Sequence, residues 1–408
     1  MKRKLSELDV LLAGQLLTGR MEVIEDYLKD KVRTLLVVGT VNPRAENTVR
    51  LYNHGKLALR FRIPFQTKLS LYKRPLLYAC MLVPIYALNF LSILYLVLRL
   101  RKRFDIFIGV GFYSTFFGLI LRRLGCVNRL IYYSIDFFTR PLKFGFDTFC
   151  ITIIQLGDKI CAKSSNIVWD VSSRIVRARK NFVDLHPDHY QHIVVPVGFR
   201  SNLLRHAPFK DVERFTMVFV GTYGKFHGLD LLLYAMPLII KQIPNVKVRI
   251  VGSGPWDKLK RLVVKLGLKN YFTFHGFIKD EEKLCDLVSR CAIGIAPYAF
   301  TADNPTVYAD PGKPKLYAFC GLPIIITKTA PIAFEIHARK AGVAINYDKN
   351  ELAAVAIRLL QDNQLQMEYR DNATSFACSY TSERLFNLAF QETLSIFSKD
   401  EKNADRAR

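Results

Sequence analysis

Short apolar runs that end in glycine or proline alternate along this chain with longer amphipathic ones. In the second half, residues 217–221 read as a strand running into Gly221, and 229–243 follow at helical spacing. Further strands are predicted at 246–251, 272–277, 292–297 and 322–327, and amphipathic helices at 352–365 and 382–397. The first half repeats the rhythm, with strands at 9–14, 34–39, 57–65, 105–111, 129–136, 167–172 and 193–197. Helices at 21–31 and 115–124 fall between them. Such alternation predicts an α/β protein of two doubly wound, Rossmann-like domains. The polar stretch 199–214, which contains Pro208 and lacks periodicity, marks the boundary. The expected division is 1–200, 201–380, and a C-terminal helix with a charged tail at 381–408, frayed from Ser398.

One apolar run breaks the rhythm. Residues 76–98 carry no Asp, Glu, Lys or Arg, and basic residues flank them at Lys73-Arg74 and Arg99–Arg103. A membrane span needs about 20 such residues. Pro84, Asn89 and Ser92 weaken a span, whereas Tyr78, Tyr86 and Tyr95 suit an interfacial position. Strands on both sides also argue against one crossing, which would split a sheet across the bilayer. Three readings stand: interfacial segment, buried helix, and span.

The 408 residues are half apolar, enough for two cores, and carry a net charge of +24. That excess points to an anionic partner: a phospholipid surface, an anionic substrate, or nucleic acid. Aromatic and basic residues are not interleaved on any recognisable nucleic-acid module, so nucleic acid ranks last. The eight cysteines are scattered and form no Cys-x-x-Cys, which fits buried thiols in a reducing compartment. The chain's start is charged and does not read as a secretory signal. A cytoplasmic protein on the inner face of the cell membrane is expected.

Gly252-Ser253-Gly254 is not a dinucleotide fingerprint, because position 257 is Asp and the motif lies mid-chain. The ordered set of motifs says more. Phe219-Val220-Gly221 leads to Gly228-Leu229-Asp230, then Val251-Gly252-Ser253-Gly254-Pro255, His275-Gly276-Phe277, Ala296-Pro297 and Gly321-Leu322-Pro323. This order resembles the donor domain of the group 1 (family 4) glycosyltransferases of GT-B fold. Pro196-Val197-Gly198-Phe199 resembles that family's interdomain turn. The likeness covers most of 190–390 and is looser before it.

The resemblance implies two Rossmann-like domains facing a cleft, with the C-terminal helix packing back toward the N-terminal domain. It implies a nucleotide-sugar donor, a lipid-linked or other saccharide acceptor held by the N-terminal domain, and transfer that usually retains anomeric configuration. The donor would meet Gly221, Thr222, Gly254, Gly276 and Phe277. The family's two phosphate-binding cations fall at Thr222 and His227, so Lys225 or His227 is expected to take the diphosphate. Its two glutamates fall at Tyr308 and Leu316, and the chain reads Asp310-Pro311-Gly312-Lys313-Pro314-Lys315 in that region instead. Asp310 is then expected at the sugar, with Gly312, Lys313 and Lys315 at the phosphates. The family's N-terminal histidine aligns with Asp136, expected beside the reacting sugar.

The chemistry is coherent without the likeness. A departing nucleoside diphosphate needs preorganised donors for its growing charge, and lysine with a helix N-terminus supplies them. No Asp-x-Asp pair and no His/Cys cluster at ligand spacing suggests a metal, and no cofactor is expected. Each residue has a plainer alternative: Lys313 and Lys315 as solvated lysines, Asp136 as a helix cap, His227 as a packed loop residue. The rival functions are a catalytically inactive scaffold that binds a saccharide or partner enzyme, and, lower, a basic nucleic-acid binder.

Overall fold

The computed structural model describes residues 4–15, 20–40, 48–62, 87–88, 90–139, 146–301 and 304–406. Two compact units divide the chain: Met1–Pro196 with Leu385–Arg408, and Val197–Arg384.

The first unit is built on β1 (Asp9–Gln15), β2 (Thr34–Thr40), β3 (Thr48–Asn53), β4 (Lys56–Arg62), β5 (Phe104–Val110), β6 (Val127–Ser134), β7 (Ile167–Asp170) and β8 (His192–Val194). They form one sheet in the order β4-β3-β2-β1-β5-β6-β7-β8. From β2 through β8 in that order the strands run parallel. β3 and β4 are an antiparallel hairpin added at the edge. The strand expected at 57–65 is the second arm of this hairpin; residues 63–65 lie outside the described residues. Its first arm was not foreseen. His54 and Gly55 at the turn both have positive φ, the condition for the tight turn that matches strand twist.

Of the apolar run 76–98, residues 76–86 and 89 lie outside the described residues. The rest is helical: Ile93, Leu96 and Val97 join the core cluster of Phe104 and Phe107, while Leu91, Tyr95 and Leu98 are exposed. Among the described residues, no helix is long and apolar enough to cross a membrane.

The terminal helix, Ser382–Arg406, returns to the first unit from Leu385 onward. Trp169 donates its indole N–H to Thr393 at 2.9 Å and meets Phe390 edge-on. Tyr27 donates to Asn387 at 2.8 Å. The fraying expected from Ser398 does not occur: the helix runs on to Arg406. Phe397 is buried beneath the Arg129 guanidinium, which also approaches Asp400 and Glu401.

The second unit is a six-stranded sheet of β9 (Glu213–Val220), β10 (Lys247–Val251), β11 (Phe272–Gly276), β12 (Cys291–Ala296), β13 (Ile324–Thr327) and β14 (Gly342–Ile345). The order is β11-β10-β9-β12-β13-β14, and every pair is parallel. Met217, Phe219, Ile250 and Ile293 pack there with Leu232, Met236 and Ile239 of the helix Leu229–Gln242. The helix expected at 352–365 divides into Lys349–Gln361 and Asn363–Cys378, because Asp362 caps the second by accepting from the Leu365 N–H. Strand order reverses between β9 and β12. In such sheets, ligands bind outside the carboxyl ends of the strands at that reversal.

Candidate functional site

At the reversal point in the second unit, β9 ends at Val220, Gly221 follows, and the chain loops through Thr222–His227 to Gly228. Gly228 adopts φ +61°, and a Cβ there would lie 1.7 Å from the carbonyl oxygen of Pro297, just after β12. Only glycine lets this loop close down on the neighbouring strand. Tyr317 ties the same two strands: its hydroxyl accepts from the Val220 N–H at 2.8 Å and donates to the Ile295 carbonyl at 3.1 Å.

Lys313 occupies this junction. It belongs to the first turn of the helix Gly312–Phe319, and its ammonium lies over the rings of Phe219 (4.5 Å) and Tyr298 (5.3 Å). It stands 3.2 Å from His227 Nδ1. A Cβ on Gly221, itself at φ +146°, would meet Lys313 Cε at 2.3 Å. Among the described residues no carboxylate pairs with this ammonium. Burial pushes its pKa down from 10.5 to about 7. Burial, and then the charge of Lys313, pushes His227 down to about 4. His227 is therefore neutral at pH 7, and its Nδ1 accepts from the ammonium. The Tyr298 hydroxyl is buried and finds no hydrogen bond among the described residues.

A cation over aromatic rings, without a countercharge, is a preformed place for an anion. The open N-terminus of its helix adds to the effect, since Pro311 at the N-cap provides no side-chain hydrogen bond.

Other expected residues fall around or away from this point. Thr222 and Gly254 are exposed on adjacent loops, and Gly254 approaches Tyr223. Gly276 ends β11 at φ +72°, and Phe277 is 72% exposed beside it. Lys225 is exposed and lies over the Phe226 ring, whereas His227 takes the inward position. Gly312 stands against Phe199.

Asp310 and Lys315 differ from expectation. Both side chains are buried and form an ion pair. They also clasp Val197, the first residue of this unit: Asp310 accepts its N–H at 2.6 Å and Lys315 donates to its carbonyl at 2.7 Å. The Lys315 ammonium also lies 4.2 Å from the Tyr380 ring centroid. With these partners, both groups are engaged in the fold, and Lys313 is the lysine of this helix with no carboxylate partner among the described residues. Leu316 points into the core, and Tyr308, at the other glutamate position, is half-buried.

In the first unit, the helix Phe112–Arg123 starts from Gly111 (φ +80°) without a side-chain cap. A cavity of about 190 Å³ lies at this start, lined by Ser114, Asp136, Phe138, Ile154 and Asp158 among others. The Ser114 hydroxyl is buried without a hydrogen bond among the described residues. Asp158 accepts from Arg179 at 2.7 and 3.0 Å and from the Tyr132 hydroxyl at 2.6 Å. Arg179 also reaches Asp170 at 2.7 Å, and burial still lifts Asp170 to about 6 against that attraction. Asp158 is thus engaged in a buried network, and Asp136, half-buried, is the other carboxylate lining the cavity. The Phe219 and Tyr298 platform, the orphaned Ser114 and the Arg179 network carry no sequence motif and were not foreseen.

Two doubly wound parallel-sheet units make up the GT-B fold, and the candidate cationic site lies at the strand reversal of the second. Residues 214–362 match the family Glycosyl transferases group 1, so the second unit carries a group 1 glycosyltransferase domain and the protein is an enzyme of this class. No curated protein matches the chain by sequence. Solved structures match it along most of its length. A sucrose-phosphate synthase from Thermosynechococcus elongatus is 14% identical, with a TM-score of 0.72, over 96% of this chain and 100% of that one. HepE of Anabaena, solved in complex with UDP, is 17% identical, with a TM-score of 0.64, over 95% and 100%. WaaG, described as a glycosyltransferase involved in lipopolysaccharide biosynthesis, is 14% identical, with a TM-score of 0.59, over 93% and 98%. At these identities the likeness speaks for the fold.

Proposed function

We propose that the protein transfers a sugar from a nucleotide-sugar to a lipid-linked or other cell-surface saccharide. In this reading the donor's diphosphate rests on Lys313 and the N-terminus of the helix Gly312–Phe319. The observation that carries it is the Lys313 ammonium, placed over two aromatic rings at the strand reversal with no carboxylate partner among the described residues. During transfer, the bond from the anomeric carbon to the diphosphate breaks and an acceptor oxygen bonds to that carbon. Negative charge then grows on the departing phosphate. An ammonium already in place stabilises that charge without reorganisation, which supports a metal-independent reaction. Retention of configuration is the outcome the group 1 likeness implies. The complex of HepE with UDP makes uridine diphosphate the first compound to try.

Two experiments test this. A melting-temperature panel of nucleoside diphosphates should show one that stabilises the protein, by about 2.7 kcal/mol at a hundred times its dissociation constant. A panel with no response would remove the donor site. In the first unit, we assign Asp136 to the reacting sugar or acceptor hydroxyl. Asp136→Ala is expected to lower kcat by roughly a hundredfold or more, with donor affinity unchanged. An equal loss in donor binding would assign Asp136 to donor recognition or to the fold instead.

A further inference from the structure

The helix Phe146–Ser164 is apolar on nearly every side, a pattern that normally means burial. Its inner face does pack: Cys161, Ala162, Gln155 and Asp158 are buried, and Gly157 lets Phe112 lie against the backbone. Its outer face does not. Phe149 (63%), Ile153 (48%), Leu156 (57%) and Ile160 (40%) stand exposed. Their spacing of four, three and four residues makes one unbroken row, about 16 Å long. The row ends at exposed Lys163.

The helices packed on either side extend the pattern. Phe112–Arg123 exposes Phe116 and ends in Arg122-Arg123. Ser173–Val183 exposes Arg177 and Lys180. Among the described side chains of these three helices the one acid is Asp158, buried and held by Arg179. The next, Asp184, caps the end of the third helix.

An apolar row whose exposed charged neighbours, among the described side chains of these three helices, are cations matches an anionic lipid surface. Apolar side chains enter the boundary of the acyl layer while cations meet the headgroups. We infer that the outer face of Phe146–Ser164 is a membrane-docking surface for anionic phospholipid. The inner face of the same helix supplies Ile154, Gln155 and Asp158 to the cavity that contains Asp136. Docking would therefore bring that cavity to the headgroup level. The inference rests on the first unit alone and stands whether or not the donor assignment does.

Co-sedimentation of the full chain with phosphatidylcholine vesicles, with and without phosphatidylglycerol, tests it. Wild type is expected to sediment with the anionic vesicles, and less as salt rises. Ile153→Ser with Leu156→Ser should weaken that partitioning by about tenfold or more. Both positions are exposed, so the melting temperature should hold. If the pair nonetheless misfolds, Phe149→Trp gives a second reading: a blue shift and quenching by brominated lipid on vesicle addition. The inference fails if wild type ignores anionic vesicles, or if the serine pair sediments equally and another segment carries the binding. It fails equally if the row instead mediates a salt-insensitive dimer, seen by sedimentation velocity and lost in the serine pair.

Discussion

Lys313→Met should weaken nucleoside diphosphate binding by roughly a hundredfold, equivalent to about 2.7 kcal/mol. The same substitution should raise the melting temperature of the ligand-free protein at pH 7. The two effects have one cause. The ammonium sits over aromatic rings beside a neutral histidine, and burial drives its pKa down to about 7. The folded protein therefore holds this proton less tightly than the unfolded chain, where the pKa is 10.5. As pH falls from 10.5 toward 7, the unfolded state gains protons that the folded state does not, and stability declines. Below 7 the penalty is complete. Methionine fills similar space and removes it. A bound diphosphate offsets the penalty in the wild type, so its affinity should fall as pH rises through 7. Binding and melting curves measured across this range check both statements. An ordinary structural lysine would give a mutant less stable than wild type and equal to it in diphosphate affinity.

The second large effect concerns Asp310 and Lys315. Lys315→Met or Asp310→Asn leaves a buried partner uncompensated, which costs about 3–5 kcal/mol. The double substitution should cost clearly less than the sum, since each change removes the reason for the other's loss. In a unit of this size, each kcal/mol lowers the melting temperature by about 2–4 °C. Chemical denaturation of the three variants gives the coupling directly. Additive losses, or full stability with lost turnover in Asp310→Asn, would return these residues to the substrate.

Physical periodicity explains which of these features the chain discloses. Strands β9 to β12 were visible as apolar runs closing on glycine or proline and β13 as an apolar run, and the glycines at Gly221, Gly228 and Gly276 marked where backbone must bend or be approached. Lys313 and Lys315 looked equivalent. Two positions apart on a helix is about 200° of rotation, so they cannot face the same ligand. Which one turns outward depends on Asp310 and on Val197, 118 residues away from Lys315. Local pattern holds no such information. The same limit hid the pairing of Lys313 with His227, 86 residues apart. The terminal segment misled through its charge: Ser398 onward looks solvated, yet Arg129, from β6, gathers its acids and covers Phe397. The hairpin at β3 was missed because its turn, His54-Gly55, lacks the asparagine or aspartate that most often announces such a bend.

Titration calorimetry of the intact protein with a nucleoside diphosphate, in a buffer containing a strong chelator, bears most directly on the donor site. One saturable site is expected, persisting in chelator, weakening above pH 7 and roughly a hundredfold weaker in Lys313→Met. No binding, binding that needs an added divalent metal, or undiminished binding in Lys313→Met would contradict it.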